Sequence, residues 1–260
     1  MGKARWLKRR RSEEHRIKDR DLVKTVEEVF DSFTMAHLHR LEARKVLREL
    51  KGVVSAGKEA RVYWGVGPRG EDLAVKIYLS ATAEFRKSIK KYIEGDPRFE
   101  SIPRGNFRRL IYEWARKEYR NLVRLSENGV RVPRPRGVSG NIIVMDFLGH
   151  QGYRAPLLVE TVGELGREEL LEYYEDLMDQ VLRMVCRARL VHADLSEYNI
   201  MVWDGRPWII DVAQAVLLKH PHAREFLERD LENLDRFFEE HIGRRPTSDI
   251  GGELLACMEE

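Results

Sequence analysis

One run of the sequence limits the fold more than any other: Val191-His192-Ala193-Asp194-Leu195-Ser196-Glu197-Tyr198-Asn199-Ile200, with Ile209-Ile210-Asp211 shortly after it. An Asp followed five positions later by an Asn has the spacing of a kinase catalytic loop. The Asp takes the proton of an attacking hydroxyl or orients a water, and the Asn returns across the loop to hold a metal ion on nucleotide phosphates. Asp211, at the end of an apolar strand, is placed to be the second metal ligand. Between them, Ile200-Met201-Val202-Trp203, Asp204-Gly205-Arg206-Pro207 and Trp208-Ile209-Ile210 read as strand, turn and strand. Singly, each polar residue is as well explained as a cap or turn residue. The argument lies in the order of the set.

The same order continues upstream. Lys76 interrupts the apolar strand Leu73-Ala74-Val75-Lys76-Ile77-Tyr78. Ile111, Ala115, Glu118, Leu122 and Leu125 share one helix face, so the Glu118 carboxylate needs a buried cation, and Lys76 is the partner a kinase requires. Ser55-Ala56-Gly57-Lys58-Glu59-Ala60-Arg61-Val62 keeps the middle glycine and the valine of a phosphate-covering loop, a weak signal by itself. Ile142-Ile143-Val144-Met145-Asp146-Phe147-Leu148-Gly149 looks like the hinge between two lobes.

The spacing divides the chain into a basic tail over 1–20, a helical extension over 21–51, an N-lobe over 52–147, a C-lobe over 148–243 and a tail over 244–260. Helical periodicity through Val46, Leu47 and Leu50 predicts two or three short helices before Gly52. Residues 80–108 are polar and broken by Gly and Pro, which predicts a mobile, partly helical insertion. A long helix is expected from Arg167 to Leu190 and a last one through Leu227, Leu231, Leu234 and Phe238. The net charge is only +3, yet basic residues gather in 1–20 and in 86–124, Lys117 included, which suits a polyanionic partner. No apolar run is long enough for a membrane span, and the basic N-terminus leads into no apolar segment. Two cysteines, Cys186 and Cys257, are too few for a disulfide framework or a Cys-rich zinc site, so a reducing cytoplasm is the expected compartment. His37, His39, His220 and His222 are read as solvated rather than metal-binding.

The chain resembles the RIO family of atypical protein kinases, in its short, archaeal-type Rio-one form. Ser55-Ala56-Gly57-Lys58-Glu59-Ala60 with Val62-Tyr63, Lys117-Glu118-Tyr119-Arg120-Asn121-Leu122, His192 through Asn199, Ile210 through Val216, and His220-Pro221-His222-Ala223 carry the likeness. It implies an α+β, two-lobed kinase-like fold, with a small antiparallel N-lobe sheet and a mainly helical C-lobe. It implies Asp194 as catalytic aspartate, Asn199 and Asp211 as magnesium ligands, and Asp211 as the site of a transient aspartyl-phosphate. The nucleotide contacts it implies are Ser55, Gly57, Lys58, Glu59, Val62, Lys76, Met145, Asp146, Leu148, Glu197, Asn199 and Asp211. ATP with Mg2+ is the expected cofactor pair, Mn2+ the alternative ion. The implied setting is late maturation of the small ribosomal subunit, with rRNA and ribosomal proteins as partners, a monomeric chain, and neither DNA nor membrane. Ala56 and Ala213 depart from the Thr and Ser of many members.

No Ala-Pro-Glu follows Asp211, and Pro221 comes early, so an activation segment and a peptide-binding subdomain have no room. That favours ATP hydrolysis, with serine phosphorylation restricted to tethered hydroxyls, Ser101 first and Ser88 second. Two other readings remain at this point: a small-molecule kinase of the aminoglycoside or choline type, and a nucleotide-binding scaffold without turnover.

Overall fold

The computed structural model describes residues 31–79, 83–93, 95–96 and 106–259. The basic tail, the apolar positions Val23, Val26 and Phe30, and Ser101 lie outside them. The N-lobe is built on a five-stranded antiparallel sheet in the order β1-β2-β3-β5-β4. Its strands are β1 (Glu49–Ala56), β2 (Ala60–Val66), β3 (Asp72–Tyr78), β4 (Pro135–Ser139) and β5 (Ile142–Asp146). Strand periodicity splits β3 between two environments. Leu73, Val75 and Ile77 join Leu38, Leu41, Leu47, Tyr63, Ile142 and Val144 in a small core on one face. Ala74, Lys76 and Tyr78 point from the other face toward the cleft between the lobes.

Helix α1 (Ser32–Ala43) starts where the Asp31 carboxylate accepts the N–H of Thr34 at 2.7 Å. It ends earlier than periodicity predicts. The Leu41 carbonyl accepts the N–H of Val46, and Lys45 takes a left-handed φ of 56°, which turns the chain into β1. Val46 and Leu47 therefore lie in the turn before β1, and Leu50 enters the strand opposite Gly65. A Cβ on Gly65 would come within 2.7 Å of Leu47, so the glycine is what lets that side chain reach the core.

Of the insertion, Ala83–Ile93 forms helix α2, and α3 begins at Phe107. The expected mobility does not fit α2: Phe85, Ile89 and Tyr92 are buried, with Tyr92 ringed by Trp114 and Phe226. Helix α3 (Phe107–Glu127), capped by Asn106, buries Ile111, Trp114, Ala115, Lys117, Glu118, Asn121, Leu122 and Leu125. Two-residue strands β6 (Gly149–His150) and β7 (Tyr153–Arg154) and a short helix α4 (Leu158–Thr161) lead into the C-lobe.

There, helix α5 (Arg167–Leu182) gives way to a π turn over Arg183–Arg187, so the helix expected to reach Leu190 stops short and Leu190–Val191 becomes strand β8. Hairpin β9 (Ile200–Trp203) and β10 (Arg206–Ile209) turns tightly on Asp204 and Gly205, both at positive φ. Strand β11 (Val216–Leu217) pairs with β8, and helix α6 (Ala223–Ile242) follows at once. The predicted tail over 244–260 is instead largely helix α7 (Pro246–Glu259), with Leu254 fully buried. Cys257 of α7 is disulfide-bonded to Cys186 of the π turn, a pairing the sequence did not signal. No described helix is long and apolar enough to cross a membrane.

Candidate active site

Strand β3 delivers Lys76 to the middle of the cleft, where its Nζ lies 2.8 Å from Glu118 Oε1 and 2.8 Å from Asp211 Oδ1. Glu118 is buried, and its second oxygen accepts the Tyr78 hydroxyl at 2.5 Å. Burial works to lower the Lys76 pKa, but Asp211, Glu118 and Tyr78 outweigh it and hold the ammonium well above its ordinary value. Burial raises the Glu118 carboxyl, with Lys76 pulling the other way. The Lys76 charge keeps Asp211 below the usual carboxylate range, against its own burial. Asp211 holds a positive φ of 57° and leaves about half its side chain open.

The catalytic-loop segment is fixed from beneath. Asp230 of α6 is buried and accepts the backbone N–H of Ala193 at 2.7 Å and of Leu195 at 2.8 Å. These bonds hold Ala193 at a φ of 68° beside Asp194, and Arg229 binds the Ala193 carbonyl. Burial pushes the Asp230 carboxyl up to about 8, the two N–H donors and Arg229 pulling it down. His192 Nε2 lies 3.0 Å from the Ile210 carbonyl, so Nε2 carries the proton, and burial lowers the ring's pKa. Burial also raises Asp194, which His192, Arg229 and Lys91 oppose.

Asn199 donates its amide N–H to the Asp194 carbonyl at 2.7 Å, which leaves its Oδ1 as the side-chain atom for a cation. The Ile210 N–H bonds the Asn199 carbonyl at 3.0 Å and so sets Asn199 beside Asp211. One amide oxygen and one carboxylate are hard donors that fit Mg2+. Among the described residues no group of three or more His, Cys, Asp or Glu converges, so phosphate and water would complete its shell.

A cleft of about 450 Å³ runs past these residues, a size ordinary for a small-ligand site. Ser55, Gly57, Lys58, Glu59, Val62, Lys76, Met145, Asp146, Leu148, Glu118, Asn199 and Asp211 all line it. Asp194 and Glu197 are not among the lining residues; Asp194 is partly buried, and Glu197 opens the turn leading to Asn199. At the hinge, the Asp146 N–H serves the Arg134 carbonyl and the Leu148 carbonyl accepts from Ala155. The Asp146 carboxylate pairs with Arg136 at 2.5 Å.

Three contributors escaped the sequence reading. Tyr78 holds Glu118, and Asp230 holds the loop. Lys117, counted there in the basic cluster suited to a polyanionic partner, is buried and donates to the carbonyls of Ala213 and Ala215, both at 2.6 Å. Its neighbour on the helix face, Asn121, binds the carbonyls of Val212 and Ala215. Its place in a core-facing stripe with Trp114 and Asn121 was the available signal.

A small antiparallel sheet over a helical lobe, with a Lys-Glu-Asp constellation between them, defines a kinase-like fold. The RIO domain family matches residues 61–250. The chain belongs to the RIO family of atypical serine/threonine kinases. It is 43% identical over 226 residues to serine/threonine-protein kinase RIO1 of Caenorhabditis elegans, an alignment covering 86% of this chain and 44% of that one. It is 40% identical over 240 residues to the RIO-type serine/threonine-protein kinase Rio1 of Haloferax volcanii, covering 92% and 79%. The chain thus spans less than half of the first relative and most of the second. The fold is shared with a solved Rio2 kinase–ADP/Mg2+–phosphoaspartate complex from Chaetomium thermophilum: TM-score 0.62, 21% identity, 89% of this chain and 75% of that one.

Proposed function

We propose that the chain binds ATP with Mg2+ in this cleft and transfers the γ-phosphoryl group, chiefly to water and otherwise to a serine hydroxyl. The observation that carries the reading is Lys76 held at 2.8 Å from both Glu118 and Asp211. That ammonium is fixed in place and permanently charged, as a residue steering the α- and β-phosphates must be. The Asp146 carbonyl and the Leu148 N–H would take the adenine edge. Gly57 and its neighbours would cover the phosphates, while Asn199 and Asp211 would hold the metal, Mg2+ or Mn2+. When bound, the ion supplies positive charge to the β- and γ-oxygens. Asp194 accepts the proton of the attacking hydroxyl or water.

Asp211 would also receive the phosphoryl group itself. Its carboxylate is ionised, half open and next to Lys76. The Rio2 complex contains a phosphoaspartate, but at 21% identity that likeness carries the fold, so the reading for Asp211 rests on its own geometry. The pre-small ribosomal subunit is the proposed partner, through exposed Arg108, Arg109, Arg116 and Arg120 on α3.

The test is metal-dependent ADP formation by the purified chain. Lys76→Met and Asp194→Ala should each lower turnover by at least about 100-fold, with native circular dichroism retained. Turnover at the wild-type rate in the Asp194 variant would defeat the assignment.

A further inference from the structure

Two residues that line the cleft each bury a polar atom with no hydrogen-bond partner among the described residues: Gln214 its Oε1 and Trp114 its Nε1. Leaving such atoms unpaired costs stability, and in a binding cleft they mark where a ligand atom belongs. Lys117 relates the two. Its Nζ lies 4.9 Å from the Trp114 ring centroid and 2.6 Å from each of the Ala213 and Ala215 carbonyls, which flank Gln214. Gln214 is the third residue of a turn in which the Ala215 N–H bonds the Val212 carbonyl at 3.3 Å. Helix α3 takes three carbonyls of that turn. Asn121 binds those of Val212 at 2.8 Å and Ala215 at 3.1 Å, beside the two bonds from Lys117. A buried lysine and a buried asparagine thus fix the backbone from which Gln214 projects, three residues after Asp211.

The two unpaired atoms have opposite needs. An amide oxygen accepts a hydrogen bond and an indole N–H donates one. Ionised phosphate and carboxylate oxygens have no proton to offer Gln214, and a metal ion cannot accept from Trp114. A single water meets both needs. We propose that Gln214, with Trp114, positions the water that attacks the phosphoryl group. The proposal rests on the reading of the cleft as an ATP site and names the residues of its water-directed branch. A water has two O–H bonds and two lone pairs. One O–H goes to Gln214 and one lone pair to Trp114, which leaves an O–H for the Asp194 carboxylate and a lone pair for phosphorus. In the step, the bond from the water oxygen to the γ-phosphorus forms as the bond to the β,γ-bridging oxygen breaks. ADP leaves with that electron pair, and the water proton passes to Asp194. Where Asp211 has taken the phosphoryl group first, the same water attacks the acyl phosphate and the electron pair returns to Asp211. Gln214 takes no proton; it fixes the direction of the nucleophile, and positioning is most of what a protein supplies to phosphoryl transfer.

The experiment measures steady-state phosphate release from ATP by the full chain, with the KM for ATP, the Mn2+ concentration for half-maximal rate and the nucleotide-free thermal midpoint of each variant. Gln214→Met keeps the shape and removes the accepting oxygen. Its kcat should fall by at least about tenfold, with KM for ATP changed by less than about threefold, as expected when an interaction made in the transition state is lost. Its midpoint should stay within about 2 °C of the wild type, since no hydrogen bond within the chain is removed. An unchanged kcat overturns the proposal. So does a larger drop in midpoint or a misfolded variant, which would assign Gln214 to the fold. A raised KM at unchanged kcat makes Gln214 a nucleotide contact, and a raised Mn2+ requirement makes it a metal ligand; either result also overturns the proposal. No phosphate release from the wild type would instead remove the ATP site on which the proposal stands.

Discussion

Lys117 donates from Nζ to the Ala213 carbonyl at 2.6 Å with its side chain almost wholly out of solvent. The next residue on α3, Glu118, binds Lys76. One helix turn thus grips the strand that presents the lysine and also the loop that follows Asp211. The Ala215 carbonyl, shared by Lys117 and Asn121, closes the second grip. The position of α3 and the direction of the Asp211 carboxylate are therefore one variable.

Lys117→Met keeps most of the volume and removes the donor, stranding the buried Ala213 carbonyl and leaving the Ala215 carbonyl to Asn121. The expected cost is about 2–4 kcal/mol of stability, read as a lower urea midpoint at unchanged slope. Metal-dependent ATP turnover should fall further than the loss of folded protein explains. A variant with wild-type midpoint and turnover would show that the two bonds matter neither to the fold nor to Asp211.

The residues of the site were unequally legible in the sequence. Asp194, Asn199 and Asp211 could be read because a single loop and hairpin fix their spacing. Lys76 and Glu118, 42 positions apart, could be paired because each is a charge inside an apolar pattern. Lys117 obeyed the same rule and was missed, because its partners are backbone carbonyls, which have no sequence signature. The end of α1 was misread for a related reason: Val46, Leu47 and Leu50 are apolar at helical spacing, but a left-handed Lys45 redirects the chain so that Val46 and Leu47 fall in a turn and Leu50 in β1. Helix α7 carries Gly251-Gly252, which costs about 1 kcal/mol per glycine relative to alanine. Burial of Leu254 and the bond from Cys257 overcome a local preference that reads as a tail.

Asp230 makes the stability of the chain depend on pH. Its carboxyl is pushed up to about 8 in the folded state, from 3.8 unperturbed. Between those values the folded chain holds a proton that the unfolded chain releases, so this contribution is full below about pH 4 and is lost as pH rises toward 8. Stability should fall by up to ~1.4 kcal/mol per pH unit in that window. Asp230→Asn should abolish the slope while lowering stability at every pH, since an amide oxygen cannot serve both N–H groups as two carboxylate oxygens do. If denaturation of the wild type gives no such slope, the Ala193 and Leu195 N–H donors keep Asp230 ionised.

The Cys186–Cys257 bond closes a loop of 71 residues that includes α6 and fastens α7 to the π turn after α5. A loop of that length is worth about 4 kcal/mol through the unfolded state. Reductant should lower the thermal midpoint, and Cys257→Ser should show the same midpoint with or without reductant. Identical midpoints for oxidised and reduced wild type would mean that α7 stays docked through Leu254 alone.

Asp211 offers the sharpest division between two chemistries. As a metal ligand only, it never bonds to phosphorus. As an acceptor, its carboxylate oxygen attacks the γ-phosphorus, the bond to the bridging oxygen breaks, and ADP leaves with the electron pair. Water then hydrolyses the acyl phosphate and restores the carboxylate, so one difficult displacement becomes two easier ones. The carboxylate is held ionised by Lys76 and half of it is open, which either role requires. The two kinds of label are chemically distinct. Hydroxylamine cleaves an acyl phosphate and spares phosphoserine, so treatment of the labelled chain separates Asp211 from any serine. The wild type should show a hydroxylamine-sensitive fraction that decays while ATP is chased with unlabelled nucleotide, and Asp211→Asn should show none. Because Asn also weakens the metal site, Asp211→Glu supplies the control: it keeps a carboxylate, and any label it carries should again be hydroxylamine-sensitive. Label that resists hydroxylamine completely in the wild type, with ATP turnover intact, would return Asp211 to the role of ligand.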